Sequence, residues 1–202
     1  MGVKRDVLFN DNYFEKGFVS LEEKDFLSLI NGSFEYRERN DELEHNREFK
    51  QIIPYVWIVN KEGKVFAYKR DKKNSIEYKE KRLHGKWSCG LGGHIDKGDN
   101  EEDLIFNAMM RELGEEVVIP GTYTPKIIGF FNDDTDSVGE VHFGVLAVVE
   151  TEGEVKHAEN DEVTEEKFVS PDELEQMMEK ENFESWTKVS WGLVKKYLEN
   201  KS

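Results

Sequence analysis

Residues 92–119 read GGHIDKGDNEEDLIFNAMMRELGEEVVI. Gly90 precedes this stretch, and Gly92, Gly93 and Gly98 lie within it, so the backbone can approach a ligand as closely as phosphate sites require. A helix is expected from about Glu101 to Val117. Asn100 can cap it, and Glu101, Glu102 and Asp103 suit the positive end of its dipole. Leu104, Ile105, Ala108 and Met109 form an apolar stripe. At about 100° per residue, Glu112, Glu115 and Glu116 fall within an arc of roughly 100° that continues Ile105 and Ala108. A face that should bury itself therefore turns acidic at the helix end, where carboxylates oppose the macrodipole and repel one another. Locally, only Arg111 compensates. A divalent cation would relieve the conflict, because hard oxygen ligands at i, i+3 and i+4 can share Mg²⁺. A solvated acidic face is the alternative.

The flanking sequence is strand-like. QIIPYVWIV (51–59) and KVFAYKR (64–70) are separated by Lys61-Glu62-Gly63, a hairpin turn, and Pro54 favours an edge or a strand start. From Lys69 to Lys86, eight of 18 residues are basic, read as a solvated loop that can also draw a polyanion locally. KIIGFF and EVHFGVLAVV follow the acidic helix as further strands, with the acidic loop 132–139 between them. After the loop 150–167 comes a short strand, FV. Ser170-Pro171-Asp172-Glu173 then starts a helix with an N-cap, an N1 proline and an N3 acid. A last amphipathic helix carries Trp186, Val189, Leu193, Val194 and Tyr197. Residues 1–50 read as a helical extension packed on a main domain of residues 51–202. Within it, Ser20-Leu21-Glu22-Glu23 is a capping box and Asn31-Gly32 a helix stop. The expected class is α/β, an α/β/α sandwich around one mixed sheet.

Composition bounds the partners. The 202 residues carry 43 acids against 28 bases, a net charge of −15, so a nucleic-acid duplex is an unfavourable partner and a phosphorylated ligand calls for a mediating cation. No run of 18 apolar residues is present, which argues against a membrane span. MGVKRD lacks an apolar signal region, and a cytoplasmic location is expected. The single cysteine, Cys89, excludes an internal disulfide and a multi-cysteine zinc site.

The segment resembles the signature of the Nudix hydrolases, G-x5-E-x7-R-E-U-x-E-E-x-G-U, with U an aliphatic residue. Arg111-Glu112-Leu113-Gly114-Glu115-Glu116 matches R-E-U-x-E-E, Ile119 the final aliphatic and Gly93 the opening glycine. Asp99 stands at the first glutamate, but eleven residues separate it from Arg111, an insertion of four. Counted back from Arg111, Asp103 takes that position instead. Val118 replaces the signature glycine. HGKWSCGLGGHID also looks like a bacterial subgroup with a similar N-terminal extension.

The resemblance implies a hydrolase acting on a nucleoside diphosphate linked to a group X, with Mg²⁺ or Mn²⁺ held by Glu112, Glu115, Glu116 and the carbonyl near Gly93. Arg111 would fix the glycine loop to the helix through Asp99 or Asp103. A later acid would serve as base or extra ligand, with Glu162 preferred over Glu159, Asp161 and Glu140. His94 and Gly92 are candidate phosphate contacts, with loop packing the alternative for His94. Trp87, Tyr55 and Phe143 are base-stacking candidates, although strand aromatics usually form core. Dimers are common in the family, and a homodimer is compatible with the chain. Two further functions stay open: an isopentenyl-diphosphate isomerase using Cys89 to protonate an alkene, and a non-catalytic nucleotide sensor on the same scaffold.

Overall fold

The computed structural model describes residues 1–10, 13–20, 26–70, 85–99, 103–158 and 163–201. In chain order these residues form β1 (Gly2–Lys4), α1 (Arg5–Phe9), β2 (Lys16–Ser20), α2 (Phe26–Ser33), β3 (Phe49–Asn60) and β4 (Val65–Arg70). β5 (Trp87–Ser88), β6 (Gly90–Leu91), α3 (Leu104–Glu116), β7 (Val117–Val118) and β8 (Lys126–Asp133) follow. β9 (His142–Thr151), β10 (Lys156–His157), β11 (Val163–Val169), α4 (Pro171–Lys180) and α5 (Ser185–Glu199) complete the chain.

β3 explains the architecture. Its residues are buried from Phe49 to Val59, because the strand lies inside the sheet and both its faces are covered. Ile52, Val56 and Ile58 join one apolar core with Leu104, Ile105, Ala108 and Met109 of α3. Tyr55, Trp57 and Val59 point the other way, into a second core with Leu193 and Val194 of α5. The sheet order is β11-β4-β3-β9-β8-β2, with β1 and β6 beside β3 and β5 beside β4. β3 and β9 run parallel from Gln51↔His142 to Asn60↔Thr151, and the other pairs are antiparallel. This mixed sheet with a helical layer on each face is the expected sandwich.

The structure departs from several sequence expectations. Pro54 sits in the middle of a central strand, not at an edge. Its flank is open, because β1 pairs with β3 only up to Gln51 and β6 only from Val56. The missing N–H therefore falls in a gap of the ladder. The N-terminal segment is not simply helical: β1 pairs with β3 and β2 with β8, extending the main sheet. Lys50, with 0% exposed surface, clasps this region by donating to Asn132 Oδ1, Asp134 and the carbonyls of Gly139 and His142. α2 runs through Asn31-Gly32 to Ser33, and the rest of the capping box at 21–23 lies outside the described residues. So does most of the basic stretch, residues 71–84. The FV strand is longer than expected and begins at Val163. The Ser170 cap forms as expected, its Oγ accepting from Glu173 N–H at 3.2 Å. Among the described residues, no helix is long and apolar enough to cross a membrane.

Candidate active site

α3 begins at Leu104, with Asp103 in the N-cap position but making no side-chain cap bond; Asn100 lies outside the described residues. The helix ends at Glu116 because Val117 and Val118 turn extended and pair with β10. β-Branched residues favour that change. The three glutamates thus occupy the last turn and a half, with no basic residue in the last turn to offset the dipole.

Arg111 ties this helix to the glycine loop. Its Nε and Nη2 form a fork on Asp99 at 3.0 and 3.2 Å, and Nη2 also donates to the His94 carbonyl at 2.8 Å. Asp99, not Asp103, is therefore the partner. A tight turn delivers it: Asp99 N–H donates to the Asp96 carbonyl, and Asp99 Oδ2 accepts from Asp96 N–H at 2.9 Å. Arg111 holds the Asp99 carboxyl below its usual range against the opposing effect of burial. Asp103 is exposed at the helix start.

Two glycines let the loop close on its neighbours. Gly92 has φ +149°, and a Cβ there would lie 1.9 Å from the Pro54 carbonyl oxygen. A Cβ on Gly93 would lie 2.6 Å from Glu112 Oε1, so a side chain there would push that carboxylate away from the loop. His94 packs inward. Its Nε2 lies 3.2 Å from His142 Nε2, and His142 Nδ1 donates to the Val138 carbonyl at 2.7 Å. A neutral His142 must then accept from the Nε2–H of His94. Burial, then His142 and Arg39, push the His94 imidazole down to about 3. The pair favours loop packing over phosphate contact for His94.

The three glutamates differ. Glu115 is exposed, its side chain 60% accessible. Glu112 is largely buried and accepts from Arg111 Nη1 at 2.8 Å, with Glu115 at 3.5 Å from the same nitrogen. Burial raises the Glu112 carboxyl, with Glu115 and Asp96 adding to the rise. Burial pushes Glu116 up to about 7; Arg70 and the Gly92 N–H oppose that, and the charges of Glu112 and Glu184 add to it. Among the described residues, no three His, Cys, Asp or Glu side chains are gathered closely enough to cage an ion. The donor set nonetheless suits a divalent cation. It has two part-buried carboxylates, a third in reach of solvent, and a glycine cradle beside one of them.

Several other candidates fall elsewhere. Glu159, Asp161 and Glu162 lie outside the described residues. Glu140 pairs with Arg47 at 2.9 Å, in the N-terminal clasp. Trp87, Tyr55 and Phe143 are core residues, at most 5% exposed. Cys89 is buried in the core under α5, across the sheet from α3, and burial raises its thiol well above the usual range. Nothing at that position resembles an acid poised over a substrate. Sequence reading missed the end of β4, where Arg70 Nε donates to Glu184 Oε1 at 2.8 Å and Ser88 Oγ to Glu184 Oε2 at 3.0 Å. Glu184 is 5% exposed, and a buried ion pair between elements so far apart in sequence leaves no local pattern.

Comparison with known proteins bears on the family and the fold. The family model described as the NUDIX domain matches residues 50–189. Protein YmaB of Bacillus subtilis (strain 168) is 34% identical over 191 residues, covering 91% of this chain and 87% of its own. The crystal structure of Tm1382, a candidate Nudix hydrolase, superposes with a TM-score of 0.78 at 27% identity over 97% of each chain. DR0079 from Deinococcus radiodurans, at 14% identity and a TM-score of 0.52, covers 90% of this chain and 97% of its own and shares the fold.

Proposed function

The chain belongs to the Nudix family, whose domain hydrolyses nucleoside diphosphate derivatives, and from that premise we propose a hydrolase that uses Mg²⁺ or Mn²⁺ to cleave a diphosphate linkage in a nucleoside diphosphate linked to a group X. One observation supports this reading above the rest. Arg111 fastens the glycine loop over the helix end at Asp99 and the His94 carbonyl, which sets Gly93 against Glu112.

In this reading Glu112, Glu115, Glu116 and the Gly93 carbonyl hold the cation. When bound, it neutralises the diphosphate and lowers the pKa of the attacking water. The water oxygen bonds to one phosphorus, the bridging P–O bond breaks, and the bridging oxygen leaves with the other phosphate. Arg111 keeps the loop in place throughout and touches no reacting atom. Gly92 allows the loop to lie flat on β3 and gives its N–H to Glu116. Glu116 is part-buried beside the Gly92 N–H and would hold the cation in its charged form. Glu162, outside the described residues, stays a candidate base.

The test is chromatographic release of the two phosphorylated cleavage products with Mg²⁺ and Mn²⁺, on wild type and Glu115→Gln. The panel holds nucleoside triphosphates, ADP-ribose, dinucleoside polyphosphates, NADH, nucleotide sugars and prenyl diphosphates. Metal-dependent release that the variant loses supports the proposal and names the substrate class. Equal background from two folded proteins would overturn it, and saturable nucleotide binding in that case would identify a sensor.

A further inference from the structure

Among the described residues, two guanidinium groups act on the carboxylates at the end of α3: Arg111 on Glu112, and Arg70 on Glu116. Arg111 has no donor to offer a ligand, since Nε, both hydrogens of Nη1 and both of Nη2 are directed at Asp99, Glu112, Glu115 and the His94 carbonyl. Arg70 differs. It closes β4 with its side chain still 25% exposed, and two of its donors are engaged among the described residues. Nε holds Glu184 Oε1 at 2.8 Å, and Nη2 holds the Tyr68 hydroxyl at 3.0 Å. That hydroxyl in turn donates to the Gly90 carbonyl at 2.8 Å, two residues before Gly92. The planar group is thus locked on one edge, next to the glycine strand, and its Nη1 end is uncommitted among the described residues.

We propose that Arg70 is a substrate-contact residue, its guanidinium gripping the diphosphate oxygens from the end of β4 while Glu184 and Tyr68 hold it in position. The inference rests on the hydrolase reading above and names a contact that the family signature does not include. The chemistry fits. A guanidinium matches phosphate oxygens in a bidentate way, and an arginine already anchored loses little freedom on binding. A chain with a net charge of −15 also needs a fixed local cation to receive an anion.

The experiment is calorimetric titration of inorganic pyrophosphate in excess Mg²⁺, beside a titration of Mg²⁺ alone. The proteins are wild type, Arg70→Lys, the double variant Arg70→Leu/Glu184→Leu and Glu115→Gln. The double variant removes both charges, so no unpaired charge of that pair is buried. Its pyrophosphate affinity should fall about tenfold or more, the cost of a lost charge-assisted hydrogen bond, with Mg²⁺ affinity within about twofold of wild type. Arg70→Lys, which keeps the charge but not the fork, should recover part of the loss and provides the test if the double variant fails to fold. Wild-type pyrophosphate affinity in both Arg70 variants would overturn the inference. If Glu115→Gln then still loses metal-dependent binding, the hydrolase reading stands without it. If wild type neither binds Mg²⁺-pyrophosphate nor turns over any substrate, the hydrolase reading falls first.

Discussion

Arg111 directs all its N–H donors at the glycine loop and its own helix, whereas Arg70 is anchored along one side of its guanidinium and keeps a quarter of its side chain open at the end of β4. Both stand beside the same acids. An arginine whose donors are all taken by protein oxygens sets the shape of a loop, and one held on a single edge presents a charge. The loop region should therefore fail structurally when disturbed, and the end of β4 should fail in ligand affinity.

The largest expected effect is on the loop side. Arg111→Ala would leave Asp99, whose side chain is 4% exposed, and the His94 carbonyl without their partner. Breaking such a pair costs about 3 kcal/mol, which lowers the melting temperature by roughly 6–12 °C in a chain of this size. Thermal unfolding checks this, and Arg111→Lys should recover little, because an ammonium cannot span both Asp99 oxygens. An Arg111→Ala protein that melts like wild type would erase the contrast with Arg70. Next comes Gly92→Ala, whose Cβ collides with the Pro54 carbonyl at a backbone angle unfavourable to alanine. It should lower stability by about 2 kcal/mol in urea titration, with m unchanged.

The third effect is on pH dependence. Unfolded histidine takes up its proton near 6.5, whereas folded His94 stays neutral down to about 3. Between those values the unfolded state binds more protons, so stability is full above about 6.5 and falls as pH drops. Between pH 7 and 5 the loss should be about 1–2 kcal/mol, and His94→Asn should remove that part of the slope. Parallel slopes in the two proteins would mean that His94 is not held neutral in the loop. The smallest effect lies away from both regions. Ser170→Ala removes the α4 cap and should cost about 1 kcal/mol, with kcat/KM unchanged.

What was legible in the sequence follows the range of the interactions. α3 and its acidic end could be read because a 3.6-residue period and a charge conflict are both local. Loop spacing left Asp99 and Asp103 open, because the choice depends on a turn between Asp96 and Asp99 that shortens the path to Arg111. β1 escaped detection because three residues show no period, and its partner lies near Phe49. Pro54 misled because the rule against proline in a central strand assumes a continuous ladder, and here two short strands leave a gap. Arg70 could be seen only as one of many basic residues, because its partner Glu184 is 114 positions away.

Cys89 gives the molecule a built-in probe of its own opening. The thiol is 1% exposed and burial holds it protonated, so an alkylating reagent meets almost no nucleophile while the fold is closed. As the chain's single cysteine, it gives modification a single meaning: each labelled molecule has at some moment parted the sheet from α5. Labelling rates taken against reagent concentration would separate the frequency of that event from its equilibrium population. Because α3 lies on the other face, the same clock run with and without Mg²⁺ would report whether cation binding is felt through the thickness of the sheet.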